Sequence, residues 1–326
     1  MHPLPLPIPD MQAAVADLWS QIPPGHVATY GDLAEALGDR AAARWVGHAA
    51  LHHDHGCGCA CHRLVRADGT IGQYVGGPSA KAYLLRSEGI PLHGGRADLK
   101  PHRWATFRSE RPLAQLRAIQ TAVAARLRAE RPDRRPTSVG GVDTSYVGEE
   151  MGVVAYTLFA RCGSRPVWST TVRRPVRFPY IASFLSFREL PLLLALLERV
   201  REARRLPDVL LVDGSGILHP RRAGLASHLG VAADLPTIGV TKSHLIGTVI
   251  RRPKRGCPSS PVTVDGEVLG AAMLGGGTSR KPIYVSPGHG VDVATAVETV
   301  AASLAGHRLP EPLYWADRIS RDAARG

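Results

Sequence analysis

The stretch Val209–Arg222, VLLVDGSGILHPRR, places a carboxylate where chemistry can be done. Val209 to Val212 predict a short buried strand that Asp213 ends, and Gly214 and Gly216 then turn the chain with little side-chain bulk nearby. A buried carboxylate is costly unless a metal ion or a hydrogen bond compensates it, so Asp213 marks an open place for a cation and a phosphate. A lone strand-end Asp reads first as a turn cap; the residues around this one reverse that order. A second strand-like run, Val139–Val142, leads to Asp143 in the same way. A different chemistry is suggested by HHDHGCGCACHR, where Cys57, Cys59 and Cys61 crowd among histidines. A cysteine there is a nucleophile only if a base or helix dipole lowers its ordinary pKa of about 8.5.

Positioning such groups needs more than one core. The chain has 326 residues, 44% of them hydrophobic, which suggests two domains. Lys and Arg total 40 against 28 Asp and Glu, a net charge of +12 that favours a polyanionic partner, most simply nucleic acid. No apolar run is long enough to cross a bilayer, MHPLPLPIPD lacks the charged and apolar regions of a secretory signal, and five cysteines do not form a disulfide framework. The reading is a reduced, cytoplasmic protein without a membrane partner, taken as a monomer.

Along the chain, Val15, Leu18, Trp19 and Ile22 have helical spacing within Met11–Ile22. Thr29 followed by Asp32 predicts an N-cap for a helix ending at Gly38, and a third helix from near Asp39 carries Arg44, Trp45 and His48. Three short helices suggest a helix-turn-helix or winged-helix module. Leu116, Ile119, Val123 and Leu127 predict an amphipathic helix, read as the first element of a second domain with the boundary near residue 97. Beyond it, Val153–Phe159 reads as a strand and Leu192–Val200 as a helix before the strand at Val209. Alternating elements with acidic residues at strand ends predict α/β architecture with carboxylates on one sheet edge.

Two stretches are specific enough to resemble known families. IPPGHVATYGDLAEALG, AAARWVGHA, ACHRLV, GQY and EG, over about residues 11–92, resemble the DNA-binding half of alkylguanine-DNA alkyltransferases. That resemblance implies Cys61 as alkyl acceptor, His62 as its base through water and Glu88 as the orienter of that histidine. It implies Arg44 as the finger filling the gap left by a flipped base, Tyr30 as an aid to rotation and Tyr74 as pocket lining. Extruding a base costs a few kcal/mol. Ala60 replaces the family's proline before the cysteine, and His52–Gly56 replaces its Asn-Pro hinge. The histidine–cysteine run also invites zinc; its C-x-C-x-C spacing lacks paired C-x-x-C knuckles, so zinc ranks behind a loop with incidental cysteines.

VGGVDTSY, FPYIASFLSFRELP, LLVDGSGILHPRRAGLASHLG, LPTIGVTKSHLIG, KPIYVSPGHGVD and RLPEPLYWAD, in this order, resemble endonuclease V over about residues 101–322. The resemblance implies an RNase H-like fold and a metal-dependent cut at the second phosphodiester 3′ to deoxyinosine. By position, Asp143, Asp213 and Glu189 would hold Mg²⁺, or Mn²⁺ in its place. Lys242 would neutralise charge on the phosphoryl oxygens, His289 would assist near the attacking water or leaving group, and Tyr180 would be a wedge entering the duplex. Leu185, Gly214, Gly224, Gly239 and Leu245 would line the base pocket, with His219 and Arg221 shaping its wall. Ala182-Ser183 stands where the family has Pro-Gly, which predicts a looser tip; Ser215 and Tyr314 are further departures.

The expectation is therefore an N-terminal winged-helix-like alkyltransferase domain, residues 1–96, followed by an RNase H-like α/β endonuclease V domain, residues 97–326, acting on DNA. Alternatives are an N-terminal module that senses lesions without catalysis, a nuclease for inosine in RNA, and a non-enzymatic DNA-binding regulator.

Overall fold

The computed structural model describes residues 8–56, 59–131, 134–160, 163–279 and 281–326. It resolves into two compact units. One runs through Ala118 and includes Phe178–Ala182; the other comprises Ile119–Arg177 and Ser183–Gly326.

The N-terminal unit contains α1 (Met11–Ser20), β1 (Ala28–Thr29), α2 (Tyr30–Leu37), α3 (Ala43–Ala49), β2 (Leu64–Val65), α4 (Gly77–Ser87), β3 (Leu92–His93), β4 (Arg96–Ala97) and α5 (Leu99–His102). Asp10 caps α1. Thr29 and Asp32 form the expected reciprocal capping box on α2, and Gly38, at φ +105°, ends it as only glycine does readily. β1 pairs with β2 in parallel, and β3–β4 is a small hairpin. Val15, Leu18, Leu33, Leu37 and Val46 are fully or almost fully buried, which is what the helical spacing of their apolar residues requires.

The next helix, α6 (Pro112–Ala124), carries the division between the units at Ala118/Ile119, whereas the sequence suggests a boundary near residue 97. Its first half belongs with α2: the Cα of Gly38 lies so close to Ala114 that a side chain there would meet its backbone nitrogen at 2.5 Å. The helix stops before Leu127, three residues short of the expected apolar series.

The C-terminal unit is built on nine strands: β5 (Ser138–Val147), β6 (Met151–Ala160), β7 (Trp168–Pro175), β8 (Val209–Asp213), β9 (Thr237–Thr241), β10 (Thr248–Val249), β11 (Ser259–Val264), β12 (Glu267–Leu274) and β13 (Pro282–His289). Their order is β10-β11-β12-β13-β9-β8-β5-β6-β7. β5, β8 and β9 run parallel in the centre, and β13 and β6 flank them antiparallel. The remaining helices are α7 (Leu185–Glu202), α8 (Leu225–Ala233), α9 (Val293–Ala302) and α10 (Glu311–Arg325). One core joins α7 and α8 through Leu190, Leu193, Leu197 and Leu229 to Val142, Val154 and Val212. The opposite sheet face packs Leu211, Val240 and Val285 against Ala296, Val300 and Leu313. β8 therefore sends alternate residues into two different cores, and its run of four apolar residues follows from that.

α7 begins seven residues earlier than expected and contains Pro191. The proline forfeits one backbone hydrogen bond, but Phe187, Leu190, Leu192 and Leu193 around it are all buried, and that burial outweighs the loss. Glu189 consequently projects from a helix rather than from the loop before it.

Candidate active site

The register of the parallel strands sets the site. Val142 pairs with Val212, and Asp213 with Val240, so Asp143, Asp213 and Lys242 emerge at one edge of the sheet. Asp143 is buried. Burial first, then the charge of Asp213 and a hydrogen bond shared with it, push the Asp143 carboxyl up to about 8. Lys242 Nζ donates to Asp213 Oδ2 at 2.8 Å and lies 3.9 Å from Asp317 Oδ1. Burial and these carboxylates act in opposite directions on Lys242, and the carboxylates prevail, raising its pKa.

Helix α10 completes this edge. Gly141 admits it: a Cβ there would meet the Pro312 carbonyl oxygen at 2.3 Å. Thr157 Oγ1 donates to the same carbonyl at 2.8 Å. Further along, Ser320 Oγ contacts Asp143 Oδ2 at 2.9 Å and Ser145 Oγ at 2.8 Å, while Arg321 pairs with Asp317 at 2.8 Å. Neither Asp317 nor Ser320 stands out in the sequence, although RLPEPLYWAD ends on Asp317.

Glu189 stands back from this pair. Tyr146 Oη donates to its Oε1 at 2.7 Å and Thr144 Oγ1 to its Oε2 at 3.2 Å. Burial pushes Glu189 up to about 7. Asp143, Glu189 and Asp213 do not bring one oxygen each within 4.8 Å of one another; among the described residues one group of metal-ligating side chains does, and it lies in the N-terminal unit. The expected convergence of three carboxylates is thus a facing pair, Asp143 and Asp213, with a third acid held off by Tyr146 and Thr144. The pair fits a hard divalent cation: both donors are carboxylate oxygens, and their mutual repulsion is what such a cation relieves.

His289 is not brought to this edge. β13 is antiparallel to β9 and pairs His289 with Thr237, three residues before the Asp213 partner Val240; the separation along the strand is roughly 10 Å. There Arg128 Nε donates to His289 Nε2 at 3.2 Å, and Asp234 lies 3.8 Å from it. Burial and the Arg128 charge lower the His289 pKa.

Tyr180, expected as a wedge, is exposed at 65%. Of the residues expected to line a base pocket, Leu245 is exposed at 50% and Leu185 is half-buried. Gly214, Gly224 and Gly239 pack chain against chain. A side chain on Gly214 would meet Leu225 at 2.9 Å, on Gly224 the Ser215 carbonyl at 2.2 Å, and on Gly239 the Gly216 nitrogen at 2.2 Å. Ser183 sits at φ +64°, left-handed backbone that favours glycine. It is held there: its carbonyl accepts from Gln120 at 2.9 Å, His219 at 3.1 Å and Arg221 at 3.0 Å, and its hydroxyl accepts from Arg221 at 2.8 Å. The tip is fastened: three of these bonds use the Ser183 carbonyl, which a glycine would supply equally, and the Ser183 hydroxyl adds the fourth.

In the N-terminal unit, Cys61 and His62 are buried. His62 Nε2 lies 2.7 Å from Glu88 Oε1, as the resemblance implies, and Arg63 shares that carboxylate at 2.8 Å. Tyr74 and His62 line one small cavity with Cys59 and Arg63. Tyr30 packs under Gly72 and Gly47, and Arg44 is exposed on α3. The Cys61 thiol is pushed up to about 12, by burial first and then by Cys59 beside it. Its neighbours within 3.5 Å include His55 Nδ1. Cys57 lies outside the described residues.

The family model described as Endonuclease V matches residues 121–318, and that described as 6-O-methylguanine DNA methyltransferase, DNA binding domain, matches residues 10–90. A Picrophilus torridus protein named bifunctional methyltransferase/endonuclease is 35% identical over 240 residues, covering 74% of this chain and 77% of the relative. Endonuclease V of Geotalea uraniireducens is 42% identical over 214 residues, covering 65% of this chain and 89% of the relative. Among solved structures, Ciona intestinalis endonuclease V, in complex with a 24mer DNA containing an inosine followed by a ribo-adenosine, matches with a TM-score of 0.60 at 30% identity. That match covers 65% of this chain and 98% of the other. With its paired carboxylates at the sheet edge, the chain belongs to the endonuclease V family, a metal-dependent nuclease fused to an alkyltransferase-type DNA-binding domain.

Proposed function

We propose that the C-terminal unit hydrolyses the second phosphodiester on the 3′ side of a deoxyinosine, and that the N-terminal unit binds DNA carrying alkylated guanine. The observation that carries the nuclease reading is the Asp143–Asp213 pair with Lys242 bonded to it at 2.8 Å. Asp143 and Asp213 would hold Mg²⁺, with Glu189 reaching it through water. When bound, the ion supplies a Lewis acid that makes water a nucleophile at neutral pH and offsets phosphate charge. Lys242, half-exposed at the same edge, donates to the phosphoryl oxygen that gains charge. Ser320 orients the Asp143 carboxyl through its 2.9 Å contact. The exposed ring of Tyr180 inserts where the damaged nucleotide leaves the stack. His289, fixed at the far end of β9, takes no part in the proton transfers.

In the N-terminal unit, Cys61 is the alkyl acceptor and His62 its base, oriented by Glu88. Arg44 fills the vacated stack, and Tyr30 and Tyr74 hold the extruded guanine. A ribonucleotide 3′ to the inosine is a second substrate reading, favoured by the mixed oligonucleotide bound to the Ciona relative.

The test is a nicking assay on matched inosine-containing DNA, RNA and mixed duplexes with Mg²⁺. Wild-type chain should cut one strand near inosine, and Asp213→Ala should abolish the cut. Undiminished cutting by Asp213→Ala would remove the carboxylate pair from the chemistry. Alkyl transfer is read separately, by mass spectrometry of the chain after incubation with O6-methylguanine DNA: wild type should gain one methyl group and Cys61→Ala none.

A further inference from the structure

We propose a zinc site in the N-terminal unit, made by His53, His55, Cys59 and Cys61. One ligand atom from each of these four side chains lies within 4.8 Å of all the others. His53 Nε2 is 2.9 Å from Cys59 Sγ, and His55 Nδ1 is 3.5 Å from Cys61 Sγ. The two imidazole rings are tilted against each other with centroids 3.9 Å apart. In a tetrahedral zinc site with ordinary bond lengths, a nitrogen and a sulfur ligand stand roughly 3.6 Å apart. One pair is already at that separation, and the other is a hydrogen bond that opens slightly when an ion enters.

The second nitrogen of each ring supports this assignment. His53 Nδ1 lies 3.0 Å from the Ala49 carbonyl oxygen and His55 Nε2 lies 3.5 Å from the Leu51 carbonyl oxygen, each four residues upstream. A carbonyl oxygen only accepts, so each ring places its N–H there and keeps a bare lone pair on the nitrogen that faces sulfur. Metal-bound histidines are held in the same way by an outer acceptor that fixes the tautomer. The donor set names the ion: two thiolates and two imidazoles select a borderline-soft tetrahedral cation over Mg²⁺. Four protein ligands also close the coordination sphere. The stretch His52–Gly56, which supplies His53 and His55, is the one that departs from the alkyltransferase pattern, where an Asn-Pro hinge is replaced. The site is independent of the nuclease reading and competes with the alkyl-acceptor reading of Cys61: the metal-free chain offers that sulfur as a nucleophile, and the zinc-bound chain holds it as a ligand.

The experiment uses the full chain, stripped of metal with a chelator and titrated with Co²⁺ as the probe. One equivalent should give sulfur-to-cobalt charge-transfer absorption with the intense visible bands of four-coordinate cobalt, and Zn²⁺ should bleach both. Asp213→Ala should keep the signal in full, because the carboxylate edge offers no sulfur. Cys59→Ser and His53→Gln should lose it. Absence of the charge-transfer band in wild type, or its full retention in Cys59→Ser, overturns the proposal. Should Cys59→Ser unfold the unit, X-ray absorption at the zinc edge of the wild-type chain decides: two sulfur and two nitrogen neighbours are expected, and a shell without sulfur refutes the site.

Discussion

Gly141→Ala tests whether helix α10 is a working part of the nuclease site. The new methyl group would lie 2.3 Å from the Pro312 carbonyl oxygen, 2.4 Å from its carbon and 2.7 Å from its Cβ. Ordinary contact needs about 1 Å more, and most of the colliding atoms are backbone, so the first turn of α10 must lift off the sheet. Overpacking of this kind costs roughly 1–3 kcal/mol. In a domain of this size each kcal/mol lowers the melting temperature by about 2–4 °C, so the variant should melt roughly 2–12 °C below wild type. The displacement also breaks the Thr157 bond to the Pro312 carbonyl. Because α10 moves as a rod, Ser320 then leaves Asp143 and Asp317 leaves Lys242. A hydrogen bond to a charged group contributes about 1.5–3 kcal/mol, and each 1.36 kcal/mol is tenfold in rate. Nicking of inosine DNA well below the melting point should therefore fall about ten- to a hundredfold. Gly306→Ala is the control: nothing lies within 4 Å of the added methyl, and both readouts should stay near wild type. If Gly141→Ala melts and cuts like wild type, α10 does not depend on that contact and its two polar residues lose their assigned role.

Lys242→Ala should cut about 10²- to 10³-fold more slowly, the usual cost of removing one transition-state donor, while binding DNA almost as well; gel-shift and single-turnover assays separate the two. His219 and His228 are both depressed to about 4 by burial, His219 further by the Arg221 charge and His228 by His219. Below the unfolded value of about 6.5 the unfolded chain takes up protons that the folded chain refuses, so stability is full above that pH and declines as pH falls toward 4. Each histidine should account for roughly 2–3 kcal/mol by about pH 4.5, and His228→Gln should flatten the melting curve against pH by one such share; an unchanged slope would refute the burial argument. Ser183→Gly should relieve about 1 kcal/mol of backbone strain and give up a comparable hydroxyl bond to Arg221. Its melting temperature should thus move little, and a fall above 5 °C would show the bond to be the stronger effect.

The strand-end acids are legible in the sequence because a buried apolar run that stops at Asp and turns on Gly leaves a carboxylate in need of a partner, and Asp143 and Asp213 do lie side by side. Glu189 is legible as a residue but not as part of a helix. The sequence reading begins the helix after Pro191, and only the burial of the neighbouring residues shows why the helix runs through it. His289 is misplaced by its motif because motif order carries no strand direction: one antiparallel neighbour puts a C-terminal residue at the wrong end of the sheet. Asp317 and Ser320 arrive from a helix whose docking is written into Gly141, far upstream, and no periodicity links them. In the N-terminal unit the capping box and Gly38 obey local rules, which a sequence displays directly. The histidine–cysteine cluster is hard to see because its cysteines follow C-x-C spacing rather than paired C-x-x-C knuckles.

The glycines of this edge have one physical purpose in common. Gly141, Gly216, Gly224 and Gly239 each place backbone against backbone at distances no Cβ would permit: Pro312, Pro287, Ser215 and Gly216 are the facing chains. An enzyme that stabilises charge needs its dipoles and carboxylates fixed before substrate arrives, since reorganising them during the reaction costs the stabilisation they are meant to supply. Flexible side chains between the segments would let Asp213 drift relative to Lys242. Direct backbone packing ties the Asp213 turn to β9, β13 and α8, so the pair at 2.8 Å is held by the sheet itself. Gly141, Gly216, Gly224 and Gly239 thus act as the rigid mount of the acids.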